Sequence, residues 1–404
     1  MFGAWTQLTS GTTAVLNAVD FPTGTQVGYV AGFGPDTTGM IAGQVLKTTD
    51  GGGTWTKTPL DSARNVMLNA VSFTDDNNGF AVGSGVPNGT IFHTTDGGAT
   101  WTKSTWGTDP LTYVRFPSKG LIGYIGVSTR AIGQQMLKTT DGGSNWVSKT
   151  KGLGPLSWTT SCAFATDNQG VVVGHLGMVY GTTNGADTLI PQGPLTNADM
   201  VAAAFSPTDS NTGYVIGNDS NGGVVRYTTT FGQPLWDSVK CWPVSHLHAV
   251  TMASNQLAFI GGDSAGHAFI GVSAYPHDIQ RTTVNVSSSI NGLCFPHGED
   301  TGFACGAGGT ILRTYDAGSP WIPAVAEGKT PATLKCGVRV MSNPSRNCIA
   351  LHADARMPVS VFDAAGRAVL REIANEGLNL LPVRKAGAYF VRSGEHTVRA
   401  VVTD

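Results

Sequence analysis

One short phrase recurs along the chain. Thr48 to Trp55 reads TTDGGGTW, Thr94 to Trp101 reads TTDGGATW, and Thr139 to Trp146 reads TTDGGSNW. Altered copies follow: TTNGADTL from Thr182 to Leu189, TTTFGQPLW from Thr228 to Trp236, and TYDAGSPW from Thr314 to Trp321. The acidic position falls at Asp50, Asp96, Asp141 and Asn184, in steps of 46, 45 and 43, then near Thr230 and at Asp316. A period in this range constrains the chain to a repeat architecture. Asp or Asn followed by Gly is turn chemistry, since the side-chain oxygen bonds backbone N–H groups further on and Gly accepts positive φ. Thr48, Thr94 and Thr139 then belong to the strand entering the turn, and Gly52, Gly98 and Gly143 to the turn itself. Trp55, Trp101 and Trp146 begin the strand leaving it, where the ring packs over apolar neighbours.

Around each phrase the same grammar repeats. An apolar strand ends in an aromatic residue or Met: LNAVDF at Leu16, LNAVSF at Leu68, LTYVRF at Leu111, TTSCAF at Thr159, MVAAAF at Met200, LHAVTM at Leu247 and INGLCF at Ile290. A Gly-bounded strand follows, then a third strand into the turn, then a fourth at the Trp. Seven units of four short strands predict an all-β, seven-bladed β-propeller over residues 1–321. The first strands are apolar throughout because both sheet faces are buried between blades. A ring must close or expose sheet edges. The orphan strand Ala4 to Leu8 suits closure as the outer strand of blade seven; Trp321 to Val325 is the rival, weakened by Pro320 and Pro323. Residues 322–335 read as a Pro/Ala/Gly/Thr linker. Residues 336–404, richer in Arg and without Trp, read as six or seven short strands in a small Ig-like β-sandwich.

Charged residues are 13% and the net charge is −2, which argues against nucleic-acid binding and a basic membrane patch. No apolar run is long enough for a membrane span. No signal peptide is visible at the start, so either the numbering begins at a mature end or the protein is cytosolic. Cys294 and Cys305 lie on successive strands of one hairpin, and Cys336 and Cys348 flank another. Each pair reads either as a cross-strand disulfide, which implies an oxidising compartment, or as buried thiols.

The pattern of Thr48, Asp50, Gly52, Thr54 and Trp55 resembles the Asp box of sialidases, sortilin-type receptors, xyloglucanases and photosystem II assembly propellers. In those families the box is a structural hairpin remote from the active site, so the resemblance implies architecture and not activity. The tail resembles the C-terminal sorting domain of type IX secretion substrates. Asn343-Pro344 follows a strand, Asp363-Ala364-Ala365-Gly366-Arg367 forms a turn signature, and Gly387-Ala388-Tyr389 comes near the end. That resemblance implies the type IX machinery as a partner, export from a bacterium, and a secreted or outer-surface location.

Signals for chemistry are sparse. Arg64, Arg115, Arg130, Arg226, Arg281 and Arg313 are scattered, unlike a sialidase triad. Asp20, Asp109 and Asp237 are carboxylates that sequence cannot pair into a glycosidase dyad. His246 and His248 alternate on one strand and could hold a metal only with a third ligand; polar residues at a channel mouth are the plainer reading. Asp75 to Gly79 and Asp209 to Gly213 have calcium-loop composition but lack the closing Glu. No metal or cofactor is expected. Trp106, Trp158, Trp236 and Trp242 lie beside or outside clean box positions, where they either pack between blades or anchor a sugar or protein. The sequence reading is a non-catalytic secreted or surface protein that binds protein or glycan, or self-assembles. The alternative is a secreted carbohydrate-active hydrolase at the channel mouth; a third reading, an assembly-factor role like that of the photosystem II propellers, is opposed by the lack of a basic patch and by the export-type tail.

Overall fold

The structure is a computed structural model. It describes residues 5–60, 63–86, 88–128, 136–149, 159–193, 196–231, 236–239, 245–254, 257–274, 278–282, 284, 286–296 and 301–315, and in the tail 338–340, 345–346, 348–353, 357–364, 366–374, 377–383, 387–393 and 396–403. The chain divides into two compact units, Phe2–Gly318 and Ser319–Asp404. Asp316, Gly318, Trp321, Cys336, Asn343 and Pro344 lie outside the described residues.

In the first unit the described strands form seven four-stranded antiparallel sheets. Sheet one runs Val15–Asp20, Gly28–Pro35, Ile41–Thr48 and the exposed Thr56–Lys57, and the next five sheets keep the same sequential strand order. First strands touch the first strands of their neighbours in a closed cycle, with Val15–Asp20 against both Met67–Phe73 and Ile290–Cys294. The fold is therefore a β-propeller, with first strands innermost. The sheet of Ile290–Cys294, Gly302–Gly306 and Ile311–Thr314 takes its fourth strand from the other end of the chain. Thr6, Gln7 and Leu8 pair antiparallel with Arg313, Leu312 and Ile311.

Aromatic residues set the packing between sheets. Phe73, closing the first strand of sheet two, stacks on Tyr29 of sheet one at 3.5 Å between centroids and meets Trp101 of its own box edge-on at 6.0 Å. Phe21 does the same with Phe303 and Trp55. A Gly opens the second strand in six of the seven sheets, Leu257 in the other, and makes room for this ring: a Cβ on Gly79 would lie 2.3 Å from the Phe73 ring, and one on Gly28 2.3 Å from Phe21. Offset and edge-on pairs of this kind add to the area they bury.

The Cys294–Cys305 disulfide expected as one reading is not formed; both thiols are free. Register explains it. Cys294 stands opposite Phe303 and Cys305 opposite Gly292, so the two are offset by two positions instead of facing each other. The Cys305 Sγ instead fills the space over Gly292, where a Cβ would meet it at 2.8 Å. Burial pushes the Cys294 thiol up to about 11 and that of Cys305 higher still.

In the tail unit, a three-stranded sheet (Val338–Val340, Cys348–Ala353, Gly377–Pro382) and a five-stranded sheet share one core of Ile349, Leu351, Leu381, Val359, Val361, Tyr389 and Val391. The side chain of Cys348 lies outside the described residues. The turn signature closes on itself. Asp363 Oδ1 accepts the Arg367 N–H at 3.0 Å, Oδ2 accepts from the guanidinium at 3.0 Å, and Gly366 takes φ +81° to donate its N–H to the Asp363 carbonyl at 2.9 Å. Gly387 and Tyr389 lie on the strand Gly387–Ser393.

Candidate functional site

The three intact boxes have one hydrogen-bond plan. Asp50 Oδ1 accepts from the Thr48 hydroxyl and from the Thr54 N–H, both at 2.8 Å, and Oδ2 accepts from the Thr54 hydroxyl at 2.8 Å. Thr48 Oγ1 in turn accepts the Gly52 N–H at 2.8 Å. Asp96 repeats these bonds with Thr94 and Thr100, and Asp141 with Thr139 and Asn145. Gly52, Gly98 and Gly143 take φ of +87°, +84° and +87°. Asn184 Oδ1 still accepts from the Thr182 hydroxyl and from the Thr188 N–H, at 3.0 Å each. Hydrogen bonds, led by Thr54 N–H at Asp50, Thr100 hydroxyl at Asp96 and Asn145 amide at Asp141, hold each carboxyl down at about 2. A carboxylate so engaged is a poor proton donor or base near neutral pH.

The box also serves its neighbour. Lys47 donates to the Gly97 carbonyl at 2.9 Å, Lys138 to Gly185 at 2.7 Å, and Arg313 to Gly51 at 2.6 Å. A third-strand cation of one sheet thus grips the box of the next, which ties the hairpins into ring integrity.

The remaining candidates separate in the same way. Asp20 is 4% exposed and accepts the Phe73 N–H at 2.7 Å; Lys119 bridges it and the Phe73 carbonyl. Asp237 is exposed at the start of an outer strand, and Asp109 lies in the loop before Leu111, so no two of the three share an element. Asp75 is consumed by its own turn, accepting the N–H groups of Asn77 and Asn78. Asp209 is held likewise, accepting the Asn211 N–H and the Thr212 hydroxyl. His248 Nε2 sits 2.8 Å from Asp263, and His246 3.8 Å from the same carboxylate. No group of three metal-ligating side chains converges among the described residues. Trp236 is buried and donates to Gln192 at 3.1 Å, and Trp106 packs against the sheet-three core, so neither is a free platform. Trp158 and Trp242 lie outside the described residues.

Two features that sequence reasoning missed remain. The first lies at the ring end opposite the boxes. Met40 and Ile41 at the second hairpin turn of sheet one are 48% and 49% exposed, and Val86 in the matching turn of sheet two is 83% exposed. Met67 starts the adjoining inner strand. Segment 63–66 joins them, with Asn65 N–H bonded to the Ile41 carbonyl at 2.8 Å and Gly43 N–H to the Ala63 carbonyl at 3.0 Å. Exposed large apolar side chains grouped on one face mark an interaction surface. The second is an open groove of about 940 Å³ where the N-terminal strand closes the ring, between the last sheet and sheet one. Hydropathy could have flagged the exposed Met-Ile pair; the groove is built from positions some 300 apart and leaves no local signature.

The sequence profile described as "Photosynthesis system II assembly factor YCF48" matches residues 2–108 and 63–336. Comparison with curated proteins finds no match. Among solved structures, one described as YCF48 bound to D1 peptide has 18% identity and a TM-score of 0.59, covering 81% of this chain and 100% of that chain. YCF48 from Cyanidioschyzon merolae has 18% identity and a TM-score of 0.60, covering 77% and 99%. The GH74 enzyme of Niastella koreensis has 15% identity and a TM-score of 0.54, covering 95% and 65%. At these identities the structural likeness carries the fold.

Proposed function

The chain belongs to the Photosynthesis system II assembly factor YCF48 family, and from that premise we propose that it is a non-catalytic scaffold whose closed, seven-bladed ring binds an apolar segment of another polypeptide. The observation that carries this reading is the patch of Met40, Ile41, Met67 and Val86 at the end opposite the boxes. The D1 peptide bound by a YCF48 structure supports peptide recognition by this kind of ring. The hydrolase reading has a GH74 enzyme among its structural neighbours, but the candidate carboxylates Asp20, Asp109 and Asp237 lie on separate elements, and the box carboxylates are held down by hydrogen bonds.

The test is selection from a random peptide library on the intact chain. Enriched peptides should carry apolar anchors and lose at least tenfold in affinity with Met67→Asp or Val86→Asp, while circular dichroism is unchanged. Enrichment insensitive to both variants would overturn the reading. Sedimentation velocity on the same variants shows whether a second copy of the chain is the occupant.

The tail carries a separate part of the proposal. The family match ends at residue 336 and leaves the tail outside it. The closed Asp363–Arg367 turn supports its reading as a type IX export address with an Ig-like sandwich. The protein would then be secreted or held at the outer bacterial surface. Removing residues 337–404 in a bacterium carrying that machinery should leave the propeller inside the cell; export of the truncated chain would contradict the assignment.

A further inference from the structure

We propose that the groove at the ring closure is a binding site for a neutral oligosaccharide. Its walls are the closing strand with its continuation through Thr13 on one side, and the outer half of sheet one on the other. The volume of about 940 Å³ is at the upper end of the range for small-molecule sites, which is roughly 300–1,000 Å³. Room alone does not name a ligand, but the lining does.

The lining is rich in uncharged hydrogen-bonding groups. Gln7, Thr9 and Thr13 are exposed, and their side chains make no hydrogen bond within the described residues. Among the described residues, these donors and acceptors are left to solvent or ligand. Beneath them the floor is fixed. Thr12 Oγ1 donates to Gln44 Oε1 at 3.1 Å, and Gln44 Nε2 donates to the Pro35 carbonyl at 3.2 Å, with Gln44 only 3% exposed. A preorganised floor lowers the ordering cost of binding. Trp55 supplies one half-buried indole, held edge-on against Phe21 at 6.3 Å. Among the described residues of the lining, Lys57 is the one charged side chain, and no carboxylate joins it.

Hydroxyls and amides around a single aromatic ring, with almost no charge, match a sugar ring. Sugars offer many uncharged O–H groups and one apolar C–H face. A polypeptide fits less well. Its extended backbone needs a ladder, and the edges here are short: Thr6–Leu8 has three residues and Thr56–Lys57 has two. The groove is also distinct from the apolar patch proposed above for protein, so the two readings fail independently.

The test is an array of neutral oligosaccharides probed with the full chain, followed by calorimetry with tetra- to hexasaccharides of β-linked glucan, xyloglucan and mannan. Binding is expected to at least one neutral glycan, with charged glycans weaker. Gln7→Ala combined with Thr9→Ala should weaken it about tenfold, as expected for two lost hydrogen bonds. Thr13→Trp, which fills the groove from an exposed position, should abolish it. Trp55→Ala is avoided because the indole also packs on Phe21. Met67→Asp should leave glycan binding intact. Absence of any bound neutral glycan overturns the proposal, as does binding that survives Thr13→Trp. A library peptide that Thr13→Trp blocks, with no glycan bound, assigns the groove to polypeptide and overturns it equally.

Discussion

Asn17 donates its side-chain amide to the carbonyl oxygen of Leu68, 2.8 Å away on the neighbouring innermost strand. Asn17 is the extra residue of a bulge between Leu16 and Ala18. The plan recurs around the ring. Asn69 donates to Leu111 at 2.8 Å, Thr160 to Met200 at 2.5 Å, and Asn291 to Leu16 at 3.1 Å, each from the bulge of its own strand. Where the bulge residue is Val201, Asn218 of the second strand takes over, bonding the Leu247 carbonyl at 2.9 Å and N–H at 2.7 Å. A bulge leaves its residue free of the ladder and re-aims the side chain. Here that freedom ties sheet to sheet. Asn69→Ala should cost about 1–2 kcal/mol in denaturant unfolding, the range for depriving a buried carbonyl of its donor. Asn69→Asp should cost more, since it turns an acceptor towards an acceptor. Equal stability of the two variants would show that the amide is not acting as a donor.

The box carboxylates predict an acid dependence of stability. In the folded chain Asp50, Asp96 and Asp141 each titrate at about 2, below the unfolded value of about 3.9. A depressed folded value means the contribution is present above the unfolded value and is lost as pH falls through about 2. The wild-type melting temperature should therefore decline as pH drops through this window. A triple Asn variant at these positions should start lower at neutral pH but decline less steeply, because Asn184 shows that an amide oxygen can hold the Thr contacts without a titrating proton. Parallel slopes for the two proteins would remove the boxes as the source.

The elements legible in the sequence are those whose cause is local. A Thr, an Asp and a Gly within five residues determine their own hairpin, and the Asp50 network needs nothing from elsewhere in the chain. The Gly that opens six of the seven second strands is readable as a boundary, though its reason, the Phe ring that ends the first strand, is visible only in three dimensions. What escaped reading depends on pairing. The bulge at Asn291 and the register after it decide that Cys305 faces Gly292, and no composition rule reports a two-residue offset. The eroded box around Trp236 leaves packing and anchoring both open in the sequence, and the fold decides for packing: the ring is buried and Gln192 of the preceding sheet holds its N–H. The closure groove lay furthest from reading, since Thr13 and Gly308 meet only once the ring is shut.

Closure itself can be tested through Leu8. It pairs with Ile311, packs against the core shared by the last sheet and sheet one, and would touch a Cβ on Gly52 at 2.8 Å. Removing residues 1–8 uncovers the edge of Ile311–Thr314, a ready template for another chain. The truncated protein should unfold less cooperatively and form concentration-dependent oligomers in sedimentation velocity. Leu8→Asp should do the same more weakly, because the backbone ladder survives. A monomeric truncation with wild-type cooperativity would mean that the ring does not depend on its N-terminal strand.

Lys119 offers a test at the box end of the ring. It sits at φ +56°, outside the usual range for a residue with a Cβ, and that turn carries its ammonium to the Phe73 carbonyl at 2.7 Å and to Asp20 at 3.2 Å. One side chain of sheet three thereby spans sheets one and two. Asp20 is almost wholly buried while Lys119 is about one-third exposed, so solvent screens the cation more than the anion. Lys119→Met should leave the carboxylate with only the Phe73 N–H and cost about 1–3 kcal/mol, the penalty for an unpaired buried charge reduced by that exposure. The double variant Lys119→Met with Asp20→Asn should recover part of the loss, because the neutral amide needs no counter-charge and its oxygen can still accept from Phe73. If the double variant is less stable than Lys119→Met alone, the pair holds the ring by geometry and not by charge. Adding Lys119→Gly, which relieves the positive φ while deleting the ammonium, then separates backbone strain from the lost contact.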